Sequence, residues 1–173
     1  MDRAGTNTKT SAHERNRRQP SGQVRLTLVS ELGGALDGGW WPYTSSVAKE
    51  LPELIEALER PLGEIIDIGV NWSPLEGVPD LDSLNYRGNA AVRSRNTRPQ
   101  RVITVTGSRA CARLLVVPCQ TSTALAVMLL RRAAGLAVFS VHRDTDAFRT
   151  AEDIVLAARA EHPMFARSAS GSA

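Results

Sequence analysis

The chain has 173 residues, of which 42% are hydrophobic and 23% are charged, and this ordinary globular composition excludes a wholly disordered or fibrous chain. The length is typical of one domain. No apolar run approaches the roughly 20 residues that span a bilayer, and the polar N-terminus lacks the apolar segment of a signal peptide. The sequence therefore predicts a cytoplasmic protein that does not contact a membrane.

The net charge is concentrated at the N-terminus. The whole chain carries 21 basic and 18 acidic residues, a net charge of +3. Residues 1–22 contain five basic and two acidic residues, which also gives +3, so residues 23–173 are formally neutral. Residues 1–22 have no apolar periodicity and are predicted to be a disordered basic tail, and residues 163–173 a disordered C-terminal tail. Residues 23–162 remain as a single folded domain.

The beginning of the domain predicts a strand, a loop and a helix. Apolar and polar residues alternate in Val24–Val29, as in a half-buried strand. A glycine-rich loop follows and carries Trp40–Pro42. A helix then begins between Ser45 and Pro52, with apolar residues at helical spacing, and ends at Gly63.

The next two regions differ in periodicity. Glu64–Trp72 alternates so regularly that it is the clearest strand of the chain. One face of this strand is predicted to carry Ile66, Ile68, Val70 and Trp72. Residues 73–100 lose periodicity and hold at most one short strand, near Ala90–Arg95.

The middle of the domain predicts a hairpin. Val102–Thr106 and Ala112–Val117 are two strands joined by a turn at Gly107-Ser108. Leu114–Val117 is apolar on both faces. This pattern predicts a central strand that is covered on both sides.

The remaining elements are two helices and a strand. A helix begins at Thr121 or Ser122 and ends at Gly135. Leu136–Val141 is predicted to be a strand, and the last helix begins at Thr150. The order of all these elements favours a single α+β domain, in which a mainly antiparallel sheet of about five strands packs with two or three helices. A doubly wound parallel sheet would need a helix between each pair of strands.

Several kinds of chemical site have no support in the sequence. No histidine has a second histidine or cysteine at ligand spacing, so no metal is predicted. Cys111 and Cys119 are separated by about 26 Å if the segment between them is extended, too far for a disulfide. No glycine-rich phosphate loop is present either. The sequence therefore predicts no catalytic residue and no cofactor.

One cluster mixes acidic and basic side chains, at His142–Asp146. At the end of a strand such residues can point into a pocket, where His142 could act as a general base. The alternative is a polar turn in which Asp144 or Asp146 accepts hydrogen bonds from nearby backbone N–H groups.

The most distinctive string of the chain is Asp37–Pro42. Adjacent residues of an extended backbone point to opposite sides. We therefore expect one of Trp40 and Trp41 to be buried in the core and its neighbour to lie partly exposed over the loop. This pair either fills the core or forms, together with Tyr43, the edge of a site for a ligand or a protein partner.

At this string the sequence resembles a family of small soluble actinobacterial proteins of unknown function, marked by an Asp-Gly-x-Trp-Trp-Pro core. The resemblance extends over residues 23–134 and includes Leu114–Pro118 before the helix at Thr121. A basic residue usually follows the Trp-Trp-Pro string in that family, and here Tyr43 stands in its place. The resemblance implies a shared fold and an actinobacterial source, and it implies no reaction.

Three functions follow from these observations. The first is a non-catalytic interaction or regulatory module, in which the Trp-rich loop contacts a protein partner. The second is an enzyme or small-ligand-binding protein with a pocket near Trp40, Trp41 and the turn at His142–Asp146. The third is weak nucleic-acid binding through residues 3–18, which would weaken steeply with salt.

Overall fold

The computed structural model describes residues 23–73, 75–82 and 99–161. These residues form one five-stranded sheet with the strand order β1-β2-β5-β4-β3. The strands are β1 (Leu26–Leu28), β2 (Gly38–Trp40), β3 (Ile65–Val70), β4 (Val102–Gly107) and β5 (Cys111–Val116). The two predicted tails, and the short strand expected near Ala90–Arg95, lie outside the described residues.

Within the described residues, three α-helices accompany the sheet. They are α1 (Val47–Leu62), α2 (Thr123–Ala133) and α3 (Asp146–Ala160), and a short 3-10 helix (Ser140–His142) precedes α3. The pairs β1–β2, β4–β5 and β3–β4 are antiparallel, and β2–β5 is parallel. The predicted α+β fold with a mainly antiparallel sheet is confirmed.

The middle of the sheet is β5, which lies between β2 and β4. Its hairpin with β4 is the predicted one, although Gly107 still belongs to β4 and residues 108–110 form the connection. Thr106 faces Cys111 in the last pair. Leu114, Leu115 and Val116 are all buried. Because successive side chains of a strand point to opposite faces, this run supplies both faces of the sheet. The predicted central strand is confirmed.

Each face of the sheet is covered by helices. On one face, Leu54, Leu58 and Leu62 of α1 belong to the same buried cluster as Leu114 and Val116. On the other face, a second cluster joins β5 to α2 and α3. Its helical members include Leu125, Leu129, Ile154 and Val155. Residues 38–42, named here the Trp-rich segment, contribute Trp40 to the first cluster and Trp41 to the second.

The face predicted for β3 is wrong in part. Ile66 is 69% exposed, and Val70 is also exposed, whereas Ile65 and Ile68 pack against the α1 cluster. An irregularity of the β3–β4 register between Ile65 and Asp67 explains why Ile65 rather than Ile66 faces the core, whereas Val70 lies beyond it in regular register. An extra residue on one strand breaks the alternation of side chains, which a simple pattern of apolar residues does not reveal. Ile68 and Trp72 pack against the α1 cluster as predicted.

The strand predicted for Leu136–Val141 is also wrong. After α2, the amide of Leu136 donates to the Arg131 carbonyl and that of Gly135 donates to the Arg132 carbonyl. With Gly135 at φ +66°, these two bonds form a Schellman motif. The chain then continues into the 3-10 helix without pairing with the sheet.

The last helix begins four residues earlier than predicted, at Asp146. Thr145 is its N-cap, because the Thr145 hydroxyl oxygen accepts a hydrogen bond from the Phe148 amide. The same hydroxyl donates to the His142 carbonyl at 2.7 Å. This cap serves the helix start better than Thr150, which lies within the helix.

The C-terminal end of α3 is attached to the sheet by Glu161. Its carboxylate accepts hydrogen bonds from the Gln100 amide at 3.0 Å and from Asn71 Nδ2 at 3.3 Å. Burial raises the pKa of Glu161, while these two bonds and the charge of Arg113 act in the opposite direction. Burial therefore disfavours the ionised form of the Glu161 carboxyl group, although that group makes the two hydrogen bonds at the end of α3.

A Glu161→Gln substitution tests this penalty. Because the pKa of Glu161 is raised in the folded state, its contribution to stability is complete below the ordinary pKa near 4.5 and is lost as the pH rises through the raised value. The free energy of unfolding of the native protein should therefore fall relative to the variant over that pH window, as measured by urea unfolding at each pH. The same substitution at exposed Glu56 controls for the loss of charge, and parallel curves for native protein and variant would contradict the penalty.

A Val116→Asp substitution tests the interior position of β5. A carboxylate there would be buried without a partner, so we expect the cooperative unfolding transition to disappear. Circular dichroism with thermal unfolding is the measurement, and Ile66→Asp, at an exposed position, is the control. Cooperative folding of soluble Val116→Asp protein would place the strand at an edge.

Candidate functional site

The first part of the Trp-rich segment, Gly38–Trp40, is a strand of the sheet rather than the predicted loop. Trp40 pairs with Leu26 of β1 and with Val116 of β5. Two consecutive glycines, Gly38 and Gly39, occupy the first positions of β2. Glycine has low strand propensity, so sequence pattern alone does not indicate this strand.

The Asp37 carboxylate, immediately before β2, binds both the preceding turn and the central strand. One oxygen accepts hydrogen bonds from the amides of Gly33 at 2.9 Å and Gly34 at 2.8 Å. The other oxygen accepts from the Arg113 amide of β5 at 2.9 Å. The side chain is buried. With three backbone donors this carboxylate is satisfied, and it joins the preceding turn to the central strand.

The two glycines allow close packing on both sides of β2. A Cβ atom at Gly38 would overlap the Thr27 carbonyl oxygen of β1, and one at Gly39 would lie 3.0 Å from a methyl carbon of Leu130 in α2. These positions therefore need glycine because another backbone and a helix approach closely.

The tryptophans lie on opposite faces of the sheet, as the alternation of strand side chains predicts. Trp40 belongs to the α1 cluster, and Trp41 belongs to the cluster with α2 and α3. Trp40 is 1% exposed and Trp41 is 8% exposed. The expectation that one of them lies partly exposed over a loop is therefore wrong, because α2 covers the face to which Trp41 points.

A cation also packs against the Trp-rich segment, and it comes from Arg25, the residue immediately before β1. The Arg25 guanidinium carbon lies 3.7 Å from the ring centroid of Trp41 and 3.9 Å from that of Tyr43. Arg25 Nε donates to the Trp41 carbonyl at 2.9 Å and Nη2 donates to the Pro42 carbonyl at 2.6 Å. The two aromatic rings enclose the guanidinium in a geometry that favours cation–π attraction.

A small cleft lies beside this stack. It is lined by Val24, Arg25, Trp40, Tyr43, Glu50 and Glu53, and it leaves almost no space that a water molecule could enter. The Glu50 carboxylate is already bound to the loop before α1, because it accepts hydrogen bonds from the amides of Tyr43 and Thr44. Sites for drug-sized ligands occupy about 300–1,000 Å³. The cleft is far too small for such a ligand, and the Arg25, Tyr43 and Glu50 side chains in it already bond to the backbone.

The two other predicted site residues belong to a different element. His142 ends the 3-10 helix and Asp144 lies in the turn before α3; both are exposed. Within the described part of the chain, no hydrogen bond or ion pair connects either of them with Trp40, Trp41 or Tyr43. The structure therefore brings Trp40 and Tyr43 to one cleft and does not join them to the His142–Asp146 turn.

The described ranges show no disulfide, metal site or membrane-spanning helix. Cys111 and Cys119 are both free thiols. Across residues 23–73, 75–82 and 99–161, no group of three or more His, Cys, Asp or Glu side chains is placed to hold a metal ion. In the same ranges, no helix has the length and apolar character needed to cross a bilayer.

A surface that the sequence prediction missed lies after α2. Phe139 is 72% exposed, Val141 is 76% exposed and Leu136 is 39% exposed, whereas Val138 between them is buried. The alternation of residues in this segment predicts a strand, and that pattern gives no signal of the exposed surface.

The match to a protein family covers residues 24–133, in the family of unknown function DUF5994. The chain belongs to this family. No curated protein and no solved structure matches the chain. The matched range contains the string Asp37–Pro42 and ends with α2, so the exposed segment and α3 of this DUF5994 protein lie beyond it. The actinobacterial source stays a prediction.

Replacement of the two buried tryptophans tests their structural role. Trp40→Ala and Trp41→Ala should each lower the free energy of unfolding by about 3–5 kcal/mol, because each leaves a large cavity in the core. Chemical unfolding in a Trp72→Phe background measures both losses, and emission of that background protein should be blue-shifted relative to free indole. Losses below about 1 kcal/mol for both variants would be too small for core side chains.

Proposed function

We propose that this DUF5994 protein is a non-catalytic interaction module of the cytoplasm, and that its protein partner contacts the side chains of Leu136, Phe139 and Val141, named here the apolar loop. The observation that carries this proposal is the exposure of Phe139 and Val141. Phe139 and Val141 stand two residues apart in one short segment. Exposed apolar surface often marks a site of protein contact, and aromatic residues contribute strongly to such contacts.

The backbone of the apolar loop is well held. The Schellman motif at Gly135 fixes its beginning, and the buried side chain of Val138 anchors its middle. Arg131 donates from Nε and Nη2 to the Ala137 carbonyl, and its guanidinium carbon lies 6.0 Å from the Phe139 ring centroid. A loop held in this way loses little conformational entropy when a partner binds.

The predicted contact through the Trp-rich segment has less support. Trp40 and Trp41 contribute almost no surface, and Tyr43 is the exposed aromatic residue there. Its hydroxyl donates to the Gln23 carbonyl at 2.9 Å, so the ring is already used to hold the chain. The apolar loop therefore replaces the Trp-rich segment as the proposed contact surface.

The enzyme or small-ligand alternative needs a pocket that unites Trp40, Trp41 and the His142–Asp146 turn. The small size of the cleft and the use of Glu50 by the backbone argue against it. Nucleic-acid binding through residues 3–18 concerns residues outside the described ranges and stays a prediction, as does a regulatory role.

Substitution of Phe139 tests the proposed function. Immobilised full-length protein is exposed to a cytoplasmic extract of the source organism, and each retained protein is then purified and titrated by calorimetry. Phe139→Asp should weaken binding by about 30-fold or more, since loss of a central aromatic contact costs at least about 2 kcal/mol.

The matched control is Ile66→Asp, which places the same charge at another exposed apolar position, on the edge strand β3. It should bind like the native protein. Equal binding by Phe139→Asp and the native protein would remove the apolar loop from the interaction.

A further inference from the structure

We infer that the partner of the apolar loop is a second copy of this chain, bound across a two-fold axis that passes beside Phe139 and Val141. The inference rests on the proposed function and specifies the partner. In a two-fold dimer the same surface is used by both copies, so that surface must be complementary to itself. Both the apolar side chains and the charges next to them meet this requirement.

Arg143 and Asp144, which directly follow the apolar loop in the sequence, carry the charges that favour a second copy as the partner. Both residues are exposed. Among residues 23–73, 75–82 and 99–161, neither the Arg143 guanidinium nor the Asp144 carboxylate has a hydrogen-bond or ion-pair partner. Two opposite charges that stand side by side, without partners in these ranges, form a pattern that its own two-fold copy can satisfy.

The neighbouring charges are used within the chain. The Arg131 guanidinium donates to the Ala137 carbonyl, and Arg132 pairs with Glu152 at 2.8 Å. Asp146 lies 3.7 Å from Arg149. Arg143 and Asp144 thus differ from Arg131, Arg132 and Asp146, each of which has a partner in its own chain.

The two-fold arrangement pairs these charges twice. With the apolar loops in contact at the axis, Arg143 of one copy faces Asp144 of the other, and the reverse pair forms on the opposite side of the axis. Phe139 and Val141 then lie at the centre and the ion pairs at the rim, which is the usual anatomy of a protein interface.

Other partners satisfy these charges less well. An acidic protein surface or an anionic bilayer attracts Arg143 but repels Asp144, and a basic surface does the reverse. A second copy presents both charges in the order required. Because the surface is small, we expect a weak dimer that forms in the micromolar range, at the low end of specific interfaces.

Sedimentation equilibrium of the full-length protein across the micromolar range tests the inference. The native protein should form a dimer. Phe139→Asp should raise its dissociation constant by about 30-fold or more, and Ile66→Asp should leave it unchanged. Thermal unfolding of each variant, all at exposed positions, establishes that each one is folded.

The charge pair allows a reversal that distinguishes this dimer from others. Arg143→Asp and Asp144→Arg should each raise the dissociation constant by about tenfold, because each places like charges across the axis. The double variant Arg143→Asp/Asp144→Arg restores opposite charges at both pairs and should return the dissociation constant to within about threefold of the native value.

Three results would overturn the inference. They are a monomer at every concentration, a dimer that Ile66→Asp disrupts and Phe139→Asp does not, and a double variant no better than the single ones. A monomeric native protein whose binding to another purified protein still depends on Phe139 would overturn the dimer and leave the proposed function standing. Insensitivity of both the dimer and all other binding to Phe139→Asp would overturn both.

Discussion

The buried carboxylate of Asp37 is the interaction on which the sheet depends. Its three hydrogen bonds join the turn at Gly33-Gly34 to the Arg113 amide of the central strand. The strand that follows is only three residues long, too short to be held by its own ladder alone. The carboxylate therefore fixes where β2 enters the sheet. A buried acceptor of this kind is costly to leave unpaired, so the turn and the two strands form as one unit.

From that position the string Asp37–Pro42 builds both halves of the core. Gly38 and Gly39 admit β1 and α2, and Trp40 and Trp41 then enter opposite clusters. Arg25 covers the end of the strand by binding two carbonyls and two aromatic rings. Each residue type of the string thus has a packing reason. The most distinctive sequence of this DUF5994 protein is accounted for by architecture, which directs the search for function to the segment after α2.

Regular periodicity made some elements predictable. Leu114–Val117 is apolar on both faces because β5 has neighbours on both sides and helices above and below, and the turn at Gly107-Ser108 identified its hairpin. By contrast, the core-facing position predicted for Ile66 and the strand predicted for Leu136–Val141 are wrong. An extra residue at the start of β3 decides that Ile65 rather than Ile66 faces the core. The apolar residues after Gly135 resemble a strand in composition, yet a strand also needs an adjacent strand with which to pair, and composition carries no information about that neighbour.

The amino-acid sequence by itself determined the α+β class, the β4–β5 hairpin, the central strand, the helix that Gly135 ends and the opposite directions of Trp40 and Trp41. These features follow from local conformation and from periodicity along the chain. Only the tertiary structure decided that the glycine-rich segment is a strand, that both tryptophans are buried and that Phe139 and Val141 are exposed. Burial depends on which distant segments cover a residue, and those contacts join β2 to β5 and α2 across more than 70 residues of sequence.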